Sequence, residues 1–282
     1  MQGIPSCGCP KSYLSLIHIL HGLRGIEVTT FYGHVLGLGV KEYIDWRGYS
    51  PECPEKICRD IRKLGGLAGL AHPIRIGYPA VTGCAWLYHI SDYDAFDYIE
   101  ILNTSDFQFC RNDLAIELWI NRLRAGNTHL AAVSGLDYHA RPWHGKETVT
   151  WLGVDSGIAD PESAALDAIR SQRAIVCKDS LIRIEVRDSY RNRQLPGSRF
   201  SGTAQELLLD TAGKENLTVV LWDQNGSQIL GTAKPSMPLP RIEQFLVVAL
   251  YRGVPDVLNL EAISNPFFPD CTRGGNHPVC NN

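Results

Sequence analysis

The chain has 282 residues, 44% of them hydrophobic and 20% charged, the make-up of a soluble globular protein with an ample core in one large domain or two ordinary ones. A formal net charge of -3 with a pI near 6.3 excludes a basic nucleic-acid face and a polybasic membrane patch, which leaves small molecules as the expected partners. No apolar run approaches the ~20 residues of a membrane span.

Nine cysteines are spread without paired C-x-x-C knuckles, which argues against a structural zinc finger. Cys271 and Cys280 could pair if the protein is exported. Asn103, Asn216 and Asn225 stand in glycosylation sequons that matter only in a secretory compartment, and the compartment stays open. Residues 1–22 form an atypical opening: Cys-Gly-Cys-Pro, then an apolar run Leu14 to Leu20 broken by His18, without a basic leader or a small-residue cleavage site. His18 and His21 are ligand-capable, although a partly exposed histidine is the commoner reading.

Leu23 to Thr29 alternates and is rich in branched residues, so it reads as a strand with Glu27 near its end. Gly33-His34 opens a second apolar run, Val35 to Val40, placing Glu27 and His34 on either side of one turn. Ser50-Pro51-Glu52 carries helix-start marks, and Ile57, Ile61 and Leu64 recur at helical spacing up to Gly65-Gly66. The short apolar strand Leu67 to Ala71 then delivers His72, with Pro73 ending the ladder. A long loop follows, holding Cys84, Trp86 and His89, and it leads to a strand, Tyr98 to Leu102, that ends at Asn103. A helix from Asn112 to Arg124 precedes the apolar run Leu130 to Val133 and the stretch Ser-Gly-Leu-Asp-Tyr-His, in which Asp137 and His139 stand two apart. His144 lies in the next loop. Asp160-Pro161-Glu162 starts a helix through Arg170, and Ala174 to Cys177 makes the last strand of this half. From Leu181 onward the pattern holds strands only: 182–186, 206–210, 217–222, 245–251 and 257–263. The expected organisation is residues 23–180 as an α/β unit and 181–282 as a small appended β domain.

A lone histidine or acid at a strand end is more often structural than functional. Here several successive strands each end in one: Glu27 with His34, then His72, then Asp137 with His139. In a parallel barrel such ends converge on one mouth, so the joint pattern points to a shared divalent metal ion.

The motifs G-I-E-V-T-T, G-H-V-L-G-L-G-V, G-G-L-A-G-L-A-H-P, T-G-C-A-W, Y-I-E-I-L-N and S-G-L-D-Y-H together resemble the PHP-domain hydrolases, within them the CehA/McbA-type metallohydrolases related to carbaryl hydrolase. The resemblance runs from about Gly25 to Arg170. It implies an α/β fold, a distorted (β/α)7 barrel, here incomplete, with a β-sandwich-like region appended. It also implies a site of two or three zinc, manganese or iron ions that activates water against an ester, carbamate or phosphoester. On this likeness Glu27, His34, His72, Asp137 and His139 match metal ligands, with Glu27 bridging the ions and Asp137 holding or deprotonating the water. Asn103 and His144 are candidates for orienting substrate. The H-x-H and D-H strands that open such domains have no counterpart before Glu27, since His18-Ile19-Leu20-His21 has another spacing. The competing expectation is a non-catalytic binding protein that retains a degenerate scaffold.

Overall fold

The computed structural model describes residues 22–50, 53–77, 84–103, 110–138 and 148–270. Strands β1 (Gly25–Thr30) and β2 (Gly33–Leu38) form a hairpin across Phe31-Tyr32. Helix α1 (Glu55–Lys63) follows. Pro51 and Glu52 of the expected start lie outside the described residues. The last turn of α1 closes as expected at Gly65, where φ is +83°, with the Gly66 N–H returning to the Ile61 carbonyl at 3.1 Å. Strand β3 (Leu67–Leu70) lies antiparallel to β2, with Val35 opposite Leu70. Strands β4 (Tyr98–Asn103) and β5 (Ala131–Gly135) add on in parallel, joined by helix α2 (Asn112–Arg124), and complete a sheet of order β1-β2-β3-β4-β5.

Strand β6 (Thr148–Leu152), helix α3 (Pro161–Arg170) and strand β7 (Ala174–Lys178) come next. Asp160 caps α3, its side chain accepting from the Ser163 N–H at 2.8 Å. The rest is strands, with one 3-10 turn (Val257–Asn259) where the expected strand 257–263 was to begin: β8 (Arg183–Asp188), β9 (Arg193–Gln194), β10 (Arg199–Ser201), β11 (Ala204–Asp210), β12 (Leu217–Trp222), β13 (Ser227–Thr232), β14 (Ser236–Pro238), β15 (Val247–Arg252), β16 (Leu260–Ser264) and β17 (Phe268–Asp270). They form a four-stranded sheet, β14-β11-β8-β9, a small β10-β17 pair, and a six-stranded sheet of order β13-β12-β15-β16-β7-β6. Strand β7 therefore hydrogen-bonds to β16, more than eighty residues further along the chain.

The expected (β/α)7 barrel is not what forms. Among the described residues there are three α-helices and several antiparallel sheets, and no sheet closes on itself. The reason lies in the connections. A parallel neighbour needs a crossover of about a dozen residues or more, whereas the two-residue link between β1 and β2 forces them antiparallel. Within the five-stranded sheet only the β3–β4 and β4–β5 pairings are parallel; β6 and β7 pair antiparallel in a different sheet.

The central strands β15, β16 and β7 of the six-stranded sheet are buried on both faces, which is why β15 reads as the unbroken apolar run Val-Val-Ala-Leu-Tyr. Val176, Val247, Ala249 and Ile263 face a core shared with α1, α2 and the five-stranded sheet. Their alternates Ile175, Cys177, Val248, Leu250 and Ala262 face the four-stranded sheet through Ile184, Val186, Leu207 and Leu209. No helix among the described residues is long and apolar enough to cross a membrane.

Candidate metal centre

Three of the expected ligands meet. One donor atom from each of Glu27, His34 and His72 lies within 4.8 Å of the others. The hairpin register explains the first pair. Thr29 lies opposite His34, and side chains two apart on a strand share a face, so Glu27 stands diagonal to His34 on the same side. His34 Nδ1–H donates to Glu27 Oε1 at 2.8 Å.

His72 arrives differently. The β2–β3 register, continued by the Ala71 N–H to His34 carbonyl bond at 3.3 Å, places Ala71 opposite His34. Regular alternation would send the next side chain to the far face. His72 instead has φ of +27°, and its ring comes to lie 5.2 Å from the His34 ring, edge-on, with Nε2 3.8 Å from Glu27 Oε1. Backbone in the left-handed region is strained for a non-glycine residue and persists where its surroundings hold it. Here the Glu100 carboxylate accepts the His72 peptide N–H at 2.9 Å, and Trp86 Nε1–H donates to the Ala71 carbonyl at 2.8 Å.

His34 Nε2 and both ring nitrogens of His72 are buried without a hydrogen-bond partner among the described residues. A buried polar atom left unpaired costs about 1–3 kcal/mol. An imidazole gives an ion one nitrogen, so one nitrogen each from His34 and His72 beside the Glu27 carboxylate is a donor set that a zinc, manganese or iron ion takes up, and the residues present fit one such ion. Glu27 is the open member, with its side chain 36% exposed while both imidazoles are buried.

The electrostatics suit a cation. The hydrogen bond from His34, with His72 beside it, holds the Glu27 carboxyl far below the usual carboxylate range against a smaller opposing effect of burial. Burial disfavours a charged His72, but Glu27, Glu100 and Asp137 outweigh it and raise its pKa. Glu100 is itself raised by burial, with His72 pulling the other way.

Glu100 was not among the residues singled out from sequence, although a carboxylate inside the apolar strand Tyr-Ile-Glu-Ile-Leu was the signal that could have found it. A Cβ on Gly135 would lie 1.9 Å from Glu100 Oε1, so the bare glycine makes the space this carboxylate fills. Asn103, expected to orient substrate, is buried at the end of β4: Nδ2 donates to Glu100 Oε2 at 3.2 Å, and Asn112 bridges its backbone at both ends. Asp137 stands outside the group of three. With φ of +47° it turns off the end of β5 to form an ion pair with Arg75, a residue the sequence reading passed over. His139 and His144, like His18, His21, Cys271 and Cys280, lie outside the described residues. Cys84 carries a free thiol that burial pushes up, away from the thiolate a metal would need.

Trp86 belongs to a segment clamped against both ligand-bearing turns. The Leu87 and Tyr88 N–H groups donate to the Tyr32 carbonyl, and the Tyr88 hydroxyl bonds Thr30 Oγ1 at 2.8 Å. A groove of about 930 Å³ lies elsewhere, between α2 and the strands β12, β13 and β15, and none of the three ligands lines it.

No protein-family profile matches the chain, and no curated protein matches it. Among solved structures, one similar chain is a two-domain protein from Bacteroides vulgatus ATCC 8482 described as containing a predicted PHP-like metal-dependent phosphoesterase. The two share 14% identity with a TM-score of 0.41, over 87% of this chain and 74% of that one.

Proposed function

We propose that the protein is a metal-dependent hydrolase that holds a zinc, manganese or iron ion on Glu27, His34 and His72 and cleaves a small-molecule ester, carbamate or phosphoester. The observation that carries this reading is the pair of buried imidazoles with unpartnered ring nitrogens beside one carboxylate, one donor atom of each residue lying within 4.8 Å of the others. The motif likeness to CehA/McbA-type proteins supports it and favours carbamates and carboxyl esters within the substrate range.

When bound, a divalent ion supplies Lewis acidity that polarises the scissile oxygen and makes water acidic enough to attack near neutral pH. The chain does the positioning. Glu27 accepts the His34 Nδ1 proton and so fixes the tautomer that leaves Nε2 with a free lone pair. Glu100 and Trp86 pin the strained backbone that turns His72 inward. Water and substrate have their way in from the Glu27 side, since both imidazoles are covered. Residues 23–180 would carry this site, and 181–282 would serve as the appended β unit.

The test is elemental analysis of the purified chain together with turnover of p-nitrophenyl acetate, a phenyl carbamate and bis-p-nitrophenyl phosphate. Bound metal, with hydrolysis lost on chelation and in His72→Ala while the thermal melt is kept, is the expected result. Bound metal without turnover of any ester class would favour the non-catalytic binding protein. A chain that takes up no transition metal would remove the reading.

A further inference from the structure

We infer that this centre takes a single metal ion, because Arg75 occupies on Asp137 the place a second cation would fill. The inference rests on the metal reading above and departs from the two or three ions that the sequence resemblance implies.

Asp137 and Arg75 reach each other from two strand ends. Arg75 follows His72 in a turn closed by its own N–H on the His72 carbonyl at 3.0 Å. Asp137 follows β5 in left-handed backbone, which aims its carboxylate across at that turn. The resulting ion pair is mostly covered, with side-chain exposures of 9% for Asp137 and 16% for Arg75. Both partners act electrostatically on His72, so the pair borders the ligand group without belonging to it. Among the described residues one group of three donors can hold a cation, and Asp137 is not part of it.

A guanidinium in this position cannot lose its proton, and in a poorly solvated site its charge repels a divalent ion strongly. It also neutralises the carboxylate such an ion would need. The positive charge that two-ion hydrolases draw from their second metal is then a fixed part of the polypeptide.

The experiment is metal stoichiometry of the full chain, by elemental analysis and by calorimetric titration with zinc and with manganese. Circular dichroism melts accompany every variant. Wild type should bind one ion per chain and Glu27→Gln none. Arg75→Lys should remain at one, whereas Arg75→Met and Arg75→Gln, which take the guanidinium away from the Asp137 carboxylate, should gain a second, weaker site and approach two. Two ions in the wild type would overturn the inference and leave the metal reading standing, and so would a stoichiometry of one in folded Arg75→Met and Arg75→Gln. A wild type that binds none would sink both.

Discussion

Asn265 joins the two large sheets, and its removal has a cost that the structure sets. Strand β5 is an edge of the five-stranded sheet, and in place of a further strand its Ala132 meets a side-chain amide. The Ala132 N–H donates to Asn265 Oδ1 at 2.7 Å, while Asn265 Nδ2 donates to the Ala132 carbonyl at 2.9 Å and to the Ala174 carbonyl at 3.2 Å. All of these groups are buried, so water cannot replace the lost partner. In Asn265→Ala the Ala174 carbonyl keeps the Asn265 N–H, but the Ala132 N–H and carbonyl are both orphaned. At about 1–3 kcal/mol for each buried unsatisfied group, the loss comes to about 2–6 kcal/mol. That is a large share of the ~5–15 kcal/mol stability of an ordinary protein. Urea denaturation followed by circular dichroism should show a lower midpoint with an unchanged slope. Asn265→Asp should be at least as damaging at neutral pH, because a carboxylate cannot donate to the two carbonyls. A loss below about 1 kcal/mol in Asn265→Ala would refute the reasoning, since so small a figure means that the orphaned pair is satisfied some other way.

Two further perturbations test what holds the site. Gly135→Ala would drive a methyl group into the Glu100 carboxylate, which is buried and bonded to the His72 N–H, so about 1–3 kcal/mol of stability should go, and metal affinity with it. Unchanged zinc affinity in a folded Gly135→Ala would detach Glu100 from the centre. Glu55 accepts from the Ser91 N–H at 3.1 Å, the Ser91 hydroxyl at 2.9 Å and the Asp92 N–H at 3.2 Å, tying down the segment that carries Trp86. Burial works to raise its carboxyl, and these bonds outweigh burial and lower it. The unfolded chain therefore holds the extra proton, and the stabilisation is present above the ordinary glutamate value of 4.5 and lost as pH falls through the folded value below it. Glu55→Gln should cost about 1–2 kcal/mol near neutral pH and flatten the acid limb of a stability-against-pH curve. An acid limb identical to that of the wild type would contradict the assignment.

The local elements were legible. Helical spacing between Asn112 and Arg124, the Asp160-Pro161 start and the Gly65 stop are written in neighbouring residues, and each acts over a single turn of chain. Strand β6 was missed, because Thr148 to Leu152 has no turn signal to separate it from the loop before it. The barrel expectation failed on pairing. Strand direction depends on which strands meet, and the β7–β16 bond joins positions that no short-range pattern connects.

What the sequence determined on its own was the identity of the ligand-capable residues and their station at strand ends, because strands and turns follow from short-range periodicity and backbone restriction. That Glu27 and His34 share a face was implicit in a two-residue hairpin. Only the tertiary structure decided that His72 joins them, since a left-handed φ reverses the face that alternation assigns to it. Only the structure gave Asp137 to Arg75 and placed Glu100 behind His72, because these contacts depend on the ends of β3, β4 and β5 standing side by side. Long-range packing sets those distances, and no local run of residues encodes them.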